Sequence, residues 1–509
     1  MKSKVIVSIF ALSLLCFPIH GQQQIGSGPL DLSFGSGGRV NTSFGVGIPG
    51  YASAVIIQPD GKILTAGVAG ISSALARYNV DGSLDSSFGS DGRVTNRFFG
   101  YGAGASSVLL QPDGKIVTGG YAYLDGSTGV FALARYNSDG SPDSSFGVEG
   151  RANTGFGSRG AGVSSLGLLP DGKIVAAGGR SGDYGSGGSD FALARYNKDG
   201  SLDTSFGIEG KLTTDFFGGQ DGAGAVIIQP DGKIVAIGSA TLESKPVLAA
   251  VRYNANGSLD SRFGSNGKFT SDFLGRGAEA SAGILQPDGK MLLAGISRTQ
   301  AAIYNYDFGL MRLNPDGGLD STFGDGGKVS IDFFGYDDWA ISVALQRNGK
   351  IVLCGVVSVE MFRGNFRIAR LNNNGTVDAS FGDAGSVILD FSNSGAQGIA
   401  IQADGKIVVA GGKKLDVTDI DFALARFDSS RPLIESASVS GKRLIISGTG
   451  FEEDAKILVN DKEQKTINNR QNPATGLVGK KAGKKLRVGD KIRVFNSDGA
   501  LSPEFTFSG

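Results

Sequence analysis

The chain has 509 residues, enough for two or three domains, and 82 of them are glycine. The glycines recur at fixed positions between apolar runs, which indicates turns rather than disorder. Lys and Arg together number 49, equal to Asp and Glu, and this balance argues against nucleic acid as a partner. From residue 431 onward there are 14 basic and 9 acidic residues. This small surplus indicates a solvated surface or, as the alternative, contact with an acidic polymer.

Residues 1–21 have the pattern of a signal peptide. Lys2 and Lys4 precede an apolar run from Val5 to Phe17, and Ile19-His20-Gly21 resembles a weak cleavage site. The run is too short for a comfortable membrane span. We therefore predict a secreted or cell-surface protein whose mature chain has no transmembrane segment.

Removal of the signal would also remove Cys16 and His20, the only histidine. The mature chain would then have no internal disulfide, and it would lack the commonest general base and metal ligand. The remaining cysteine, Cys354, lies in the strand-like run 350–355, so we expect a buried small hydrophobic residue rather than a reactive thiol.

One unit recurs seven times between residues 29 and 428, with a step of about 57 residues. Each unit contains a Pro-Asp-Gly-Lys turn, a Leu-Ala-Arg-Tyr-Asn motif and a Leu-Asp-x-Ser-Phe-Gly motif, or near variants of them. The glycines of the turn are Gly61, Gly114, Gly172, Gly232, Gly289, Gly349 and Gly405. A fixed period of this length predicts one supersecondary structure that is repeated along the chain.

Each unit resolves into four short strands. The apolar runs 225–229 and 233–237 flank an Asp-Gly turn and predict a hairpin, because Asp-Gly supplies the positive φ of tight turns. The alternating run 191–196 predicts a third strand, and 210–216 predicts a fourth. No segment has a sustained helical period. The sequence therefore predicts an all-β fold, a β-propeller of four-stranded blades with almost no helix.

The ends of the repeat array favour a closed ring over a solenoid. The array opens with a fourth-type strand at 38–44 and closes with a third-type strand at 421–427 that has no fourth strand after it. Pairing the two would complete the last blade and remove two sheet edges. A solenoid would need atypical capping repeats instead. We predict a seven-bladed propeller closed by its N-terminal strand.

An arginine and an aspartate recur in every unit, and we predict that the arginine holds the carboxylate by two hydrogen bonds. The predicted structural pairs are Arg77–Asp85, Arg135–Asp143, Arg195–Asp203, Arg252–Asp260, Arg312–Asp320, Arg370–Asp378 and, through ring closure, Arg426–Asp31. Calcium is the alternative for these aspartates, although 79–85 lacks the terminal Glu of a calcium loop. We expect no metal site and no cofactor, with calcium as the exception to test.

The three motifs, in this order and seven times over, resemble the delta-60 repeats of bacterial exported proteins. The resemblance covers residues 29–428 and implies a propeller fold and export. It implies no shared activity and no catalytic residues.

The repeat stops after Phe427, and residues 432–509 have a different pattern of short strands and turns that suggests an Ig-like β-sandwich. Ser447–Phe451 and Asn496–Gly499 resemble motifs of the IPT/TIG group. That resemblance implies a spacer or a binding module.

Blade topology separates a repetitive face from a variable one. The repeated turns join strands one to two and three to four, so they share one face, and the variable loops share the other, where binding is expected. The loops that enter the innermost strands supply the candidate ligand-binding residues Tyr101, Gln220, Asp221, Arg276, Glu279, Tyr336, Asp337, Asp338 and Trp339. Trp339, the only tryptophan, is the best single candidate, although packing between blades would explain it equally well.

Two functions remain open from the sequence. The first is a non-enzymatic binding, adhesion or surface-display scaffold for an extracellular glycan, a peptide or a cell-surface component, expected to be monomeric. The second is a polysaccharide hydrolase or lyase that uses carboxylates at the channel mouth, such as Asp221, Glu279, Asp337 and Asp338. No spacing singles out a catalytic pair, and Ser or Cys nucleophile chemistry has no support in the motifs. We predict the non-enzyme.

Overall fold

The computed structural model describes residues 30–98, 100–157, 160–181, 188–273, 277–298, 306–333, 337–360, 363–391, 395–414, 420–428, 432–451, 454–468, 476–496, 502 and 504–508. The predicted signal peptide, including Cys16 and His20, lies outside these residues.

The strands of the repeat region follow one another in chain order, four to a sheet. A single strand comes first, β1 (Arg39–Thr42). Six complete sheets follow, blades 1 to 6: β2 (Gly50–Ile57), β3 (Ile63–Ala69), β4 (Ser72–Tyr78), β5 (Arg93–Asn96); β6 (Ala103–Leu110), β7 (Ile116–Tyr123), β8 (Gly129–Tyr136), β9 (Arg151–Thr154); β10 (Ala161–Leu168), β11 (Ile174–Ser181), β12 (Ser189–Tyr196), β13 (Lys211–Thr214); β14 (Gly222–Ile228), β15 (Ile234–Leu242), β16 (Lys245–Tyr253), β17 (Lys268–Ser271); β18 (Ala278–Leu285), β19 (Met291–Arg298), β20 (Tyr306–Leu313), β21 (Lys328–Ile331); β22 (Asp338–Leu345), β23 (Ile351–Glu360), β24 (Arg363–Leu371), β25 (Ser386–Leu389). Blade 7 contains β26 (Ala396–Ile401), β27 (Ile407–Lys414) and β28 (Ile420–Phe427).

The seven sheets form a seven-bladed β-propeller, as predicted. In blades 1 to 6 the strands are antiparallel and follow chain order from the innermost to the outermost strand. Blade 7 is completed by β1, which pairs with β28 in the register Arg39 to Ala425 and Thr42 to Phe422. The predicted closure by the N-terminal strand is confirmed, and it gives β28 the outer partner that the third strand has in every other blade.

The structure places every predicted arginine against its aspartate. The closest N···O distances lie between 2.6 and 3.0 Å, and they include Arg426 to Asp31 across the ring closure. The lysine of the first turn reaches the same carboxylate, as Lys62 does at 2.9 Å from Asp85. Serine donors such as Ser87 bind the other oxygen. The carboxylates of this motif therefore serve as internal hydrogen-bond acceptors.

The same arginines also connect neighbouring blades. Arg252 donates from Nη1 to the carbonyl of Pro315 at 2.5 Å, and Arg312 donates to the carbonyl of Asn373 at 2.5 Å. Each guanidinium also lies over the phenylalanine of its own repeat, with 4.4 to 4.8 Å between the guanidinium carbon and the ring centroid. One side chain thus fixes the turn of its own blade and the position of the next blade.

The hydrophobic core lies between adjacent blades. Strands two and three of each blade are buried along nearly their whole length, as in β8 and β20. Cys354 in β23 is fully buried among aliphatic and aromatic side chains, which agrees with the prediction of a structural cysteine. Burial also raises the pKa of this thiol above its usual range.

The C-terminal segment forms two further four-stranded sheets. Its strands are β29 (Leu433–Ser440), β30 (Arg443–Thr449), β31 (Lys456–Val459), β32 (Lys462–Glu463), β33 (Thr466–Asn468), β34 (Gly476–Gly479), β35 (Lys491–Phe495) and β36 (Phe505–Thr506). The orders are β29-β30-β34-β33 and β32-β31-β35-β36, around a core that includes Leu444, Ile457 and Ile492. The only helical segment in the described residues is a 3₁₀ turn at Ala482–Lys484. No helix in this described part has the length and hydrophobicity of a membrane span.

Candidate ligand-binding site

Two sets of loops emerge on opposite ends of the blades. The turn between strands one and two lies beside the loop between strands three and four, because Lys62 and Asp85 from these loops form an ion pair at 2.9 Å. The remaining loops therefore emerge on the other face, called here the variable face. It contains the starts of the innermost strands and the ends of the second strands.

A β-bulge interrupts every innermost strand at the same position. In β2 the pairing with β3 shifts between Ala52 and Ala54, so Ser53 is the extra residue. The strand opposite the bulge requires a glycine, because the two backbones approach closely there. A Cβ atom on Gly67 would clash with the carbonyl oxygen of Tyr51. The same clash would occur in the other hairpins at Gly120, Gly178, Gly238, Gly295, Gly355 and Gly411.

The seven bulge residues line one central cavity. They are Ser53, Ser106, Ser164, Gly224, Ser281, Ile341 and Gln397, called here the bulge ring. The cavity has a volume of about 1050 Å³ and is bordered by all seven innermost strands. Bulges redirect side chains and are common beside functional sites. Here they bring serine hydroxyls and a glutamine amide to the wall of the channel.

Three tyrosines form the cavity wall on blades 1 and 2, called here the tyrosine wall. Tyr51 is 43% exposed and Tyr123 is 37% exposed. The rings of Tyr121 and Tyr123 meet edge to face with 5.6 Å between centroids. Burial raises the pKa of Tyr121, and the nearby Tyr51 and Tyr123 raise it to a smaller extent. These rings present both apolar faces and hydroxyl groups to the cavity.

The wall on blades 3 to 5 is polar, and its charged groups already have partners. Arg180 binds Asp190 with Nε at 2.8 Å and Nη2 at 2.6 Å from the same oxygen. Glu279 lies 3.7 Å from Arg298. Ser181, Ser189 and Ser239 add hydroxyl groups on blades 3 and 4.

Asp221 borders the cavity as expected for a site residue, but its carboxylate is buried. The side chain is 3% exposed, and its two oxygens accept hydrogen bonds from the backbone of Phe216 at 2.7 Å and Thr241 at 3.2 Å. Burial raises its pKa despite these bonds. Asp221 therefore holds the loop that enters blade 4.

Asp338 occupies the corresponding position in blade 6, and it is not accessible. Its carboxylate is completely buried, and Oδ2 accepts the backbone N–H of Phe333 at 2.9 Å. Burial raises its pKa to about 8, although Phe333 and Arg367 favour the ionised form. The expectation that Asp338 meets a ligand needs correction, because this side chain ties the entering loop to its blade.

Trp339 belongs to a neighbouring cluster rather than to the cavity lining. Its ring lies 5.8 Å from that of Tyr306, and the guanidinium of Arg298 lies 4.9 Å from the Tyr306 centroid. Asp337 accepts the backbone N–H of Tyr306 at 3.1 Å. The tryptophan is partly covered by this arrangement, so the structure gives it a packing role on blades 5 and 6.

The other predicted residues are distributed around the variable face. Tyr101 is 60% exposed and Gln220 is exposed, but neither lines the cavity. Glu279 does line it. Arg276 and Tyr336 lie outside the described residues. The cavity thus brings together Asp221 and Glu279 from the predicted set.

Sequence reasoning missed the tyrosine wall, Arg180 and the bulge ring. The signal for the ring was present, because a glycine at a fixed place inside every second strand indicates a bulge or a close backbone approach. No equivalent signal marked Tyr121 and Tyr123, which differ from the residues of the other repeats.

Seven segments of the chain match the family model described as "Domain of unknown function (DUF5122) beta-propeller". The matched residues are 58–88, 111–146, 169–206, 229–263, 286–323, 346–381 and 402–430. Each of the first six segments runs from the first turn of one blade to the loop between its third and fourth strands. The chain is a β-propeller repeat protein. No protein in a search of curated sequences matches this propeller.

Solved structures with similar folds include proteins of different kinds. One is a protein of unknown function from Dyadobacter fermentans DSM 18053, with 14% identity, a TM-score of 0.40, and coverage of 76% of this chain and 97% of the other. Another is the polysaccharide lyase Uly1, with 12% identity, a TM-score of 0.43, and coverage of 74% and 90%. A third is the β-propeller domain of the Trilobed protease from Pyrococcus furiosus, with 11% identity, a TM-score of 0.35, and coverage of 68% and 91%.

Proposed function

We propose that the propeller is an exported binding module that recognises an extracellular polysaccharide through the central cavity on its variable face. The observation that carries this proposal is the tyrosine wall beside the bulge ring in a cavity of about 1050 Å³. Aromatic faces with nearby hydroxyl groups suit the alternating apolar and polar surfaces of sugar rings. The signal-like residues 1–21 support export.

The rigidity of the wall supports binding rather than large movement. The strands behind the cavity are held by the arginine–phenylalanine contacts within each repeat, by the arginine hydrogen bonds between blades and by completion of blade 7. A ligand would meet side chains that are already in place, which lowers the entropic cost of binding. The propeller would thus serve as the scaffold, and the loops of the variable face as the recognition surface.

The test is a binding screen of the mature chain against extracellular polysaccharides, followed by titration of the best ligand. Tyr123→Ala is expected to weaken binding about tenfold, since one aromatic stacking contact contributes about 0.5–1.5 kcal/mol beyond the area that it buries. Tyr101→Ala is the matched control, because this tyrosine is also exposed on the variable face but does not line the cavity. Equal losses in both variants, or none in either, would oppose the proposal.

The second candidate is a polysaccharide hydrolase or lyase. The observation in its favour is that Asp221, whose pKa is raised, and Glu279 border the same cavity. A pair of carboxylates that flank the scissile bond is the machinery that glycosidases use. Analysis of polymer length after prolonged incubation separates the two functions. Polymer that stays intact with the wild-type chain supports a binding module. Polymer that the wild-type chain shortens and the Glu279→Gln variant does not shorten supports the enzyme.

A further inference from the structure

We infer that the cavity selects a neutral polyhydroxylated glycan chain over chains of uronic acids or sulfated sugars. This inference rests on the proposed function and names the chemical class of its ligand. It depends on the hydroxyl groups that line the cavity and on the pairing of every charged group that borders it.

The bulge ring supplies uncharged hydrogen-bonding side chains from five of the seven blades. Four of its members are serines and one is glutamine. A serine hydroxyl both donates and accepts, and the glutamine amide does the same through two different atoms. Sugar hydroxyl groups have this dual character, so they can satisfy such a wall in either direction. A carboxylate or a sulfate only accepts.

The cations near the cavity are committed to carboxylates of the protein. Within the described residues, the lining contains one arginine and no lysine. That arginine, Arg180, is bound to Asp190 through two nitrogens. Arg298 lies with Nη2 3.7 Å from Oε1 of Glu279, and its guanidinium also stacks on the ring of Tyr306. A ligand carboxylate would have to displace one of these partners to gain a counterion.

The carboxylates on the wall also disfavour an anionic ligand. Asp221 is buried and its oxygens are bound to two backbone N–H groups, while Glu279 remains partly exposed at the cavity edge. An anionic sugar placed beside Glu279 would meet a like charge and lose hydration without a cation in return. A neutral sugar has neither cost, and its apolar faces still contact the tyrosine wall.

The test uses pairs of oligosaccharides that differ only in oxidation of C6. Suitable pairs are oligomers of glucose and glucuronate, galactose and galacturonate, and mannose and mannuronate with the same linkage and length. The full mature chain is titrated with each member. We expect the neutral member of the best pair to bind at least tenfold more tightly. A uronate that binds equally or better overturns the inference while leaving the proposed function intact. Absence of binding in every pair, and in the polysaccharide screen, overturns both.

A charge placed in the bulge ring gives an independent measurement. Ser281 is an exposed ring member, so a longer side chain has room there. Ser281→Lys should raise affinity for the uronate about tenfold relative to Ser281→Gln, the neutral control of similar length. Unfolding curves for both variants check that the fold is kept. Unchanged uronate affinity in the folded lysine variant would show that the ligand does not reach the ring and would overturn the inference.

Discussion

Replacing Asp31 by alanine tests how the ring is closed. The carboxylate accepts hydrogen bonds from Arg426 Nε at 2.8 Å, from Lys406, and from the backbone and hydroxyl of Ser33 at 3.1 and 2.6 Å. The side chains of Arg426 and Asp31 are only 4% and 7% exposed. Removing the carboxylate would therefore leave a buried guanidinium without its counter-charge.

We expect this change to lower the free energy of unfolding by about 3–5 kcal/mol, the usual cost of breaking a buried ion pair from one side. That is a large share of the roughly 5–15 kcal/mol by which a native domain is stable. Denaturant titration measures the loss, and hydrogen exchange locates it. The amides of β1 and β28 should exchange faster, since Asp31 anchors the segment that leads into β1.

Asp85→Ala is the matched control, because Asp85 has the same set of donors within blade 1. It should cost a similar free energy but leave the exchange of β1 and β28 unchanged. A loss below about 1 kcal/mol for Asp31→Ala, which is the range found for surface ion pairs, would refute the reasoning. Unchanged protection of β1 in that variant would refute it as well.

Three further predictions concern the bulges and two buried acids. Gly355→Ala should destabilise the chain by about 1–3 kcal/mol because its Cβ would clash with the carbonyl of Trp339, whereas Gly222→Ala, with open space at its Cβ, should cost less; denaturant midpoints compare them. Asp338 has a native pKa of about 8, against about 4 when unfolded, so wild-type stability should fall as pH rises from 5 to 8. Asp338→Asn should abolish that fall in thermal unfolding, and a persisting slope would assign it to other groups. Asp378 has a native pKa of about 2, so the stabilisation it supplies above pH 4 should be lost as pH falls towards 2, and the cost of Asp378→Asn should shrink over that range. A cost that is independent of pH would contradict this.

The repeat made the fold predictable. Turn glycines, strand periodicity and the two incomplete ends together predicted seven blades and the pairing of β1 with β28, because each repeat restates the same local chemistry. The Arg426 to Asp31 contact followed from closure alone. Those features depend on spacing along the chain, which the sequence displays directly.

The site was less predictable because it depends on which side chains share one cavity. Trp339 and Asp338 lie on an innermost strand, as reasoned, but pleating and burial direct them into packing between blades rather than towards the channel. Tyr121 and Tyr123 lie at the end of a second strand, and only the curvature of the ring brings them beside Tyr51. The order of residues along the chain does not indicate which side chains of different blades lie close together.

The most direct test of the central claim is a crystal structure of the propeller soaked with the best-binding neutral oligosaccharide. Our account predicts sugar rings against Tyr51, Tyr121 and Tyr123, with hydroxyl groups directed towards the bulge ring. Sugar bound instead at Trp339, on the repetitive face or on the C-terminal sheets would contradict it.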